Sequence, residues 1–363
     1  MVCFHRFPVG RQSCPTDMRA AFLALAAVVV ALAGCGNLSQ EDLLFRAGVP
    51  AKQAVAVVPP GTEDEVDDAL STTAQGLQGT RRQAVEEACD GDLLCETRNL
   101  ARGFNGFTFL LLDIVDAISA LPPTERSPGR RVWGPHFDAD RGSTFRFEMV
   151  RSDDGATFSF CLHAARGFVG RANSVSCDLE SDEASGLQRV LTGSFAPSGI
   201  AGDSARLGKG TMRLETERLN RLNGESRFAR VVDFAFDHTD GQTDIHIDML
   251  GASVDNVERD AAYDFTRSAA GDGTLAFDVF ADLVASDALL DRRQLERVRL
   301  RAAWLADKSG RAIGVVDGGN VGAQTFTIEQ CWDTGLATVY RRDVSGDETG
   351  DVGQCVTEAP TLE

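Results

Sequence analysis

The sequence is short of positive charge. Its 363 residues include 36 Lys and Arg against 54 Asp and Glu, which gives a formal net charge of −18, and lysine occurs only at Lys52, Lys209 and Lys308. Binding to nucleic acid requires a basic surface patch, and the sequence has no basic cluster large enough to provide one. We therefore expect no nucleic-acid partner, and we interpret the acidity as a feature that favours solubility.

The sequence also lacks the familiar catalytic motifs. It has no G-x-S-x-G nucleophile elbow and no C-x-x-C redox pair. Gly202-Asp203-Ser204 resembles the nucleophile block of one esterase family, but Ala205 stands where that family has leucine. No Ser/His/Asp order can be assigned to the four histidines beyond residue 34, which are His136, His163, His238 and His246. We therefore predict no catalytic residues and no cofactor, with a hydrolase as the weaker alternative.

One group of polar residues has the composition of a metal site without its spacing. Asp244, His246 and Asp248 alternate with apolar residues, so they share one face of a predicted strand. Neighbours on that face lie roughly 7 Å apart, so the three need help from a second strand to reach one ion. Asp237 and His238 are the nearest candidates for that help. We predict a solvated charged face here and no metal.

A second group, near the C-terminus, resembles a calcium-binding loop. Five oxygen-bearing side chains alternate along it: Asp343, Ser345, Asp347, Thr349 and Asp351. The EF-hand pattern requires Gly at its sixth position and Glu at its twelfth, where this sequence has Glu348 and Gln354. No helical pattern flanks the loop, so we predict an acidic surface turn.

An apolar run near the N-terminus has the order of a secretion signal. Arg19 supplies a positive charge, residues 20–32 are uninterrupted apolar, and the small residues Ala33 and Gly34 follow. The run is shorter than the roughly 20 apolar residues of a transmembrane helix. We therefore predict that residues 1–34 are a signal peptide, with Met18 as an alternative start.

The signal ends in Leu32-Ala33-Gly34-Cys35, which resembles the lipobox of bacterial lipoproteins. The resemblance covers only this stretch. It implies that the sulfur of Cys35 carries a lipid, that the signal is removed in front of it, and that the protein is anchored on a membrane of the cell envelope. Gly36, in place of aspartate, favours the outer membrane in that family. The alternative is ordinary cleavage after Ala31-Leu32-Ala33.

The number of cysteines supports lipidation. Removal of residues 1–34 leaves seven cysteines, and a lipid on Cys35 turns this odd number into six, which suits an oxidising compartment. Closeness in the sequence then predicts three local disulfides: Cys89 with Cys95, Cys161 with Cys177, and Cys331 with Cys355.

The rest of the chain divides into four segments by composition. We predict a tether over residues 35–62, because it ends in Pro59-Pro60-Gly61 and tandem prolines extend a chain. The alternative is that part of this segment packs on the body. Residues 63–125 have helical periodicity, residues 131–342 have the period of strands, and residues 343–363 form an acidic C-terminal tail.

The helical segment contains a predicted tight corner and, after it, a helix with a wide apolar face. Between Cys89 and Cys95, Gly91 permits a tight corner and Asp92 is suited to cap the next helix. The helix over residues 104–121 has an apolar stripe too wide for exposure to solvent, made of Phe104, Phe107, Phe109, Leu110, Leu111, Leu112, Ile114, Val115 and Ile118. We predict that it packs on the apolar face of the strands.

The segment 131–342 alternates apolar and polar residues, as antiparallel strands do. Turn sequences such as Asp153-Asp154-Gly155, Asn223-Gly224, Asp240-Gly241 and Asp272-Gly273 separate the strands. The predicted fold is therefore mainly β with an N-terminal α segment: an antiparallel meander of about ten to twelve strands, curled into a barrel or half-barrel.

These features favour a lipid-anchored envelope protein with a non-catalytic binding or scaffolding role, whose partners are the membrane and an envelope protein. The alternative is a carrier or receptor for an apolar ligand such as lipid or lipoprotein. A strand meander with an apolar helix is similar in architecture to the half-barrel of bacterial lipoprotein carriers, without a shared motif.

Overall fold

The structure is a computed structural model that describes residues 38–71, 89, 91–138, 142–169, 176–178, 181–182, 186–198, 206–218, 229–254, 257–281, 295–358 and 360. Three α-helices precede the strands: α1 (Gln40–Ala47), α2 (Glu63–Ser71) and α3 (Leu93–Ser119). Short 3-10 helices lie at Lys52–Val55, Gly319–Val321 and Val352–Gln354.

Sixteen strands follow and form one sheet. They are β1 (Glu125–Ser127), β2 (Arg130–Asp138), β3 (Ser143–Arg151), β4 (Phe158–Arg166), β5 (Ser181–Asp182), β6 (Leu187–Pro197), β7 (Gly208–Leu214), β8 (Val231–Thr239), β9 (Gln242–Val254), β10 (Val257–Arg267), β11 (Gly273–Ala281), β12 (Glu296–Trp304), β13 (Gly310–Asp317), β14 (Thr325–Trp332), β15 (Thr338–Arg342) and β16 (Glu348–Gly350).

The sheet is an antiparallel meander with two ends. Each strand pairs with its neighbours along the chain, except that β4 pairs directly with β6 and the two-residue β5 pairs with β6 beside this path. Among the described strands β1 and β16 lie at opposite ends and do not pair, so the sheet is not closed. The prediction of a mainly β antiparallel fold is confirmed, with more strands than expected.

The hairpin turns follow from residues that accept a positive φ. At the β8–β9 turn, Asp240 and Gly241 have φ angles of 54° and 79°, and Thr239 pairs with Gln242. Two consecutive positive φ angles match the twist of adjacent strands, so the predicted Asp-Gly turn is confirmed. Asn223-Gly224, predicted to be another turn, lies outside the described residues.

The core lies on one face of the sheet. Inward-facing residues from β2 to β14 form a single apolar cluster with α3 and with the chain before α2. Phe147, Phe234, Ile247 and Leu300 are examples of strand residues in it, and all are buried. The opposite face carries the polar members of the alternation, as in sheets that face solvent on one side.

The segment predicted to be a tether, residues 35–62, packs on the body of the protein over much of its described part. Phe45, Val49, Ala54 and Val55 are fully buried in the main core. A run of small and β-branched residues supplies apolar area that core burial stabilises, by roughly 25 cal/mol per Å². The two prolines after it limit the direction of the chain without keeping the segment away from the sheet.

The helical segment matches the prediction at its central corner and differs at its ends. Gly91 has a φ of 79°, and the Asp92 carboxylate accepts a hydrogen bond from the backbone N–H of Cys95 (2.9 Å), so Asp92 caps α3 as predicted. The helix therefore begins at Leu93, eleven residues before the predicted stripe at Phe104. Strand structure already begins at Glu125, within the range predicted to be helical.

The acidic tail is in part a component of the sheet, which corrects the predicted boundary at residue 343. β16 pairs with β15 through Tyr340 and Gly350, and the last 3-10 helix follows. The disulfide between Cys331 and Cys355 ties this segment to β14.

All three predicted disulfides are present. Cys89 pairs with Cys95 at the corner before α3, Cys161 of β4 pairs with Cys177, and Cys331 of β14 pairs with Cys355. Their Cα–Cα distances are 5.4, 5.5 and 5.6 Å, within the usual range for disulfides.

Candidate functional site

The predicted lipid attachment residue, Cys35, lies outside the described residues, which begin at residue 38. Helix α1 follows within a few residues. Its N-terminus is closed by a capping box, in which Ser39 and Asp42 bond to each other's backbone N–H groups at 2.9 and 3.1 Å. The chain is thus ordered almost from the point at which the predicted anchor ends.

A buried ion pair fastens α1 to the sheet. The Asp42 carboxylate accepts hydrogen bonds from Arg131 (2.6 Å) and, at 3.2 Å, from Arg126. Burial of Asp42 acts to raise its pKa, but hydrogen bonds from the Ser39 backbone and from the two arginines outweigh it and hold the pKa at about 2. Arg131 also lies over the ring of Phe45, 4.9 Å from its centroid. The first helix is therefore attached by both charge and packing.

The segment after α1 is held by contacts from distant parts of the chain. The side-chain amide of Asn105 in α3 makes two hydrogen bonds to the backbone of Val57. Its oxygen accepts from the Val57 N–H (2.8 Å), and its nitrogen donates to the Val57 carbonyl (2.7 Å). Arg206 donates to the carbonyl of Val49 (2.9 Å), and the backbone of Ala51 bonds the carbonyl of Arg206 (2.9 Å). The segment therefore occupies a defined path beside α3.

The apolar stripe of α3 contributes to the core. Leu111, Leu112 and Val115 are buried in the same cluster as the inward-facing strand residues. The ring of Phe104 stacks on Phe234 of β8, with centroids 5.7 Å apart. The predicted stripe also includes Phe107, Leu110 and Ile114, whose side chains are not among those that the structure describes.

The two aspartates of α3 pair with the neighbouring chain. Asp113 lies 2.9 Å from Lys52, and Asp116 accepts from Arg206 at 2.9 Å. Burial raises the pKa of Asp113, and Lys52 partly offsets that effect. The polar side of α3 is therefore in contact with the segment between α1 and α2.

Some apolar residues at the edge of the core are only partly buried, among them two on the neighbouring strands β10 and β11. Tyr263 of β10 and Val279 of β11 pack against the core and remain partly exposed. The Tyr263 ring lies 4.4 Å from that of Phe277, and burial raises the pKa of its hydroxyl. A hydroxyl among apolar side chains is the type of lining that orients an amphipathic ligand.

The Asp244, His246 and Asp248 group does not converge on a metal position. His246 contacts Asp264 of the adjacent β10 through Nδ1 (2.5 Å) and Asp248 through Nε2 (3.0 Å), so both ring nitrogens face carboxylates. The hydrogen bond with Asp264, followed by that with Asp248, raises the pKa of His246. His238, predicted as a helper, bonds Thr243 instead (2.8 Å).

The stretch from Asp343 to Asp351 contains the β15–β16 turn and strand β16, and the Asp343 carboxylate binds donors within that turn. Asp343 accepts from the backbone N–H groups of Ser345 (2.9 Å) and Asp347 (3.1 Å) and from the Ser345 hydroxyl (2.5 Å). The Ser345 hydroxyl bond, the strongest influence, lowers the pKa of Asp343. Among the residues that the structure describes, no group of three or more His, Cys, Asp or Glu side chains has metal-site geometry.

Part of the proposed hydrolase motif lies outside the described residues. Gly202, Asp203 and Ser204 fall outside the described part of the chain. The four histidines lie on four different strands: His136 on β2, His163 on β4, His238 on β8 and His246 on β9.

A buried polar cluster on the outer face of the sheet was not predicted from the sequence. Arg146 and Glu148 of β3 alternate with core residues, a position that ordinarily faces solvent, yet both are about 1–2% exposed. Their cross-strand partners on β4 are His163 and Cys161, which are fully buried. The predicted Cys161–Cys177 disulfide could have indicated this burial. Cys161 lies on the outer face, so a disulfide to Cys177 holds the chain after β4 against that face.

Comparisons with known proteins found no matching family model, no matching curated protein and no matching solved structure. Within the described residues, none of the helices has the length and apolar character required to cross a membrane.

Proposed function

We propose that this chain is a bacterial lipoprotein, anchored through Cys35 to a membrane of the cell envelope, with the outer membrane favoured by Gly36. The lipobox sequence and the even number of remaining cysteines support the proposal. The three disulfides account for all six of those cysteines, which leaves Cys35 as the free thiol for a lipid.

In this proposal the sheet curves into a half-barrel, with α3 and the chain between α1 and α2 on its apolar face. The observation that carries the functional conclusion is the burial of both segments: Val49, Val55, Leu111 and Leu112 share one core with the strands. A filled apolar face supports a non-catalytic binding or scaffolding role, since it leaves the polar outer face for a partner protein of the envelope.

Replacement of Cys35 by alanine tests the anchor. We expect the wild type to fractionate with membranes and to incorporate labelled fatty acid, whereas Cys35→Ala should lose the label and no longer be held by a lipid. A Cys3→Ala variant is the matched control, because this cysteine precedes the cleavage position and should change neither result. A wild-type mature N-terminus at Gly34, or a labelled Cys35→Ala variant, would contradict the proposal.

A carrier of an apolar ligand is the second candidate, and the partly exposed apolar residues around Tyr263 favour it. If this corner admits an acyl chain, a fluorescent fatty acid should bind the detergent-free Cys35→Ala protein saturably, and Tyr263→Ala should weaken binding. Leu305→Ala removes a side chain that is 38% exposed elsewhere on the surface and serves as control. Absence of saturable binding to the folded protein would eliminate the carrier role and leave the anchor proposal intact.

A further inference from the structure

Arg146 lies on the outer face of β3, opposite the core. Phe147 and Met149 face inward, so the alternation directs Arg146 and Glu148 to the other side. Such side chains would ordinarily reach water, yet the Arg146 side chain has no exposed surface. Its charge is therefore buried.

The described part of the chain after β4 helps to cover this cluster. The disulfide to Cys161 holds Cys177 near β3, with its Sγ 3.9 Å from the carbonyl oxygen of Glu148. Arg189 of β6 donates to the carbonyl of Cys177 (3.1 Å). These contacts place a polypeptide layer over the outer face.

Only some of the hydrogen-bond donors of the Arg146 guanidinium have a partner among the described residues. Its Nη1 donates to Glu148 Oε2 at 2.9 Å, whereas its Nε and Nη2 are buried and have no hydrogen-bond partner among the described residues. Nε and Nη2 form one edge of the guanidinium and donate in parallel, which is the arrangement that binds two oxygens of one anion.

Other arginines of this protein pair the same edge with a carboxylate. Arg130 uses Nε and Nη2 to bind Glu148 at 2.8 and 3.2 Å, and Arg102 binds Glu65 in the same way at 2.7 and 2.9 Å. Arg297 does so with Asp278, and Arg311 with Glu329. Arg102 and Arg297 are much more exposed than Arg146. Water can solvate their guanidinium groups, whereas the buried guanidinium of Arg146 depends on acceptors from the protein or a ligand.

The buried charges around Arg146 balance only if an exposed carboxylate is counted. Arg130 and Arg146 share the carboxylate of Glu148, and Arg130 also lies 3.5 Å from Glu125, whose side chain is 44% exposed. A buried charge is costly unless it is paired and its hydrogen bonds are satisfied. One further anion at the free edge would supply both the charge and the two acceptors.

We propose that the Nε–Nη2 edge of Arg146 is a binding site for a small oxyanion, a carboxylate or phosphate group that presents two oxygens in one plane. Both donors are fully buried, so a ligand has to displace part of the covering chain to reach them, which favours a small one. Bidentate geometry favours an oxyanion over chloride. The site lies on the opposite face of the sheet from the apolar core, so it does not depend on the carrier or anchor proposals.

The test uses the full chain purified in detergent and titrated with acetate, phosphate or sulfate at constant ionic strength, with chloride as the balancing ion. We expect at least one of the three to raise the unfolding temperature and to shift the 15N resonance of the Arg146 Nε–H saturably. Acetate and phosphate distinguish the two ligand chemistries. Arg146→Lys keeps the charge and removes the parallel donors, so affinity should fall about tenfold or more.

Arg297→Lys is the matched control, because it alters an exposed arginine whose edge is already paired with Asp278, and it should bind the anion as the wild type does. If Arg146→Lys fails to fold, crystals of the wild type soaked in selenate or bromoacetate give an independent result, with anomalous density expected beside Nε and Nη2. An unchanged Nε–H resonance with every anion, or a carboxylate of the chain itself on this edge, would overturn the proposal.

Discussion

Among single residues, some acidic and basic side chains form buried ion pairs that join a helix to the sheet. Others form pairs that are exposed to solvent. Asp42 belongs to the first group, since its carboxylate joins α1 to β1 and β2 through Arg126 and Arg131. His246 belongs to the second, because it and its partner Asp264 are at least half exposed. Because the pKa of Asp42 is lowered and that of His246 is raised, we expect the two residues to affect the pH dependence of stability in opposite directions.

Asp42→Asn should lower the free energy of unfolding by about 2 kcal/mol through its charge alone at neutral pH, because the pKa falls from 3.8 to about 2 on folding. A lowered pKa stabilises the fold above the unfolded value, so this contribution should disappear as the pH falls from about 4 toward 2. Denaturant unfolding at several pH values measures it, with the exposed Asp153→Asn as control. A difference that does not change over this range would contradict the assignment.

His246 should show the opposite sign. Its pKa is raised, chiefly by Asp264, so its pairing stabilises the fold at pH values below the usual histidine pKa of about 6.5 and is lost as the pH rises through the raised value. Asp264→Asn should therefore lower the melting temperature more at pH 5.5 than at pH 8.5. NMR titration of His246 should show a lower pKa in that variant, and equal pKa values would refute the pairing.

At the scale of elements, α3 illustrates how local and distant signals combine. Its N-cap at Asp92 and the turn at Gly91 follow from residue types within four positions, because a capping carboxylate and a positive φ are local requirements. The residues that the helix contacts, such as Val57 through Asn105 and Phe234 through Phe104, lie far away in the sequence. No local pattern identifies them.

Leu111→Ala tests whether the stripe of α3 acts as core. Leu111 is 5% exposed, and removal of a buried leucine side chain leaves a cavity, so the free energy of unfolding should fall by about 2–5 kcal/mol. Leu305→Ala, at an exposed position, should change it by less than about 0.5 kcal/mol. Equal effects for the two variants in denaturant unfolding would show that α3 does not share the core.

At the scale of the whole molecule, one core joins parts of the chain that composition had separated. The cluster extends from Phe45 through α3 to Trp332 of β14. Elements that bury the same side chains lose that burial together, so the protein should unfold as one unit even though it is large for such behaviour.

Cooperative unfolding can be measured without mutation. Trp133, Trp304 and Trp332 lie on β2, β12 and β14, so tryptophan fluorescence reports on both ends of the sheet while circular dichroism reports on all strands. We expect the two signals to give coincident urea transitions. Separate midpoints would show that the protein does not unfold as one unit.

Features that depend on short stretches of chain could be predicted from the amino-acid sequence. Alternation along the strands, the Asp240-Gly241 turn, the cap at Asp92 and the three nearby cysteine pairs were predicted from it, because each depends on conformational preferences or distances within a few residues. The lipobox at Cys35 is also read from the sequence and remains a prediction.

The tertiary structure decided what is buried. Residues 45–57 resemble a linker in composition, and Arg146 resembles an exposed strand residue, yet both are enclosed by segments far away in the sequence. Burial depends on which distant chain covers a residue, and neither periodicity nor composition contains that information. For this reason the sequence left open how much of residues 35–62 packs on the body, and the cluster around Arg146 was not predicted at all.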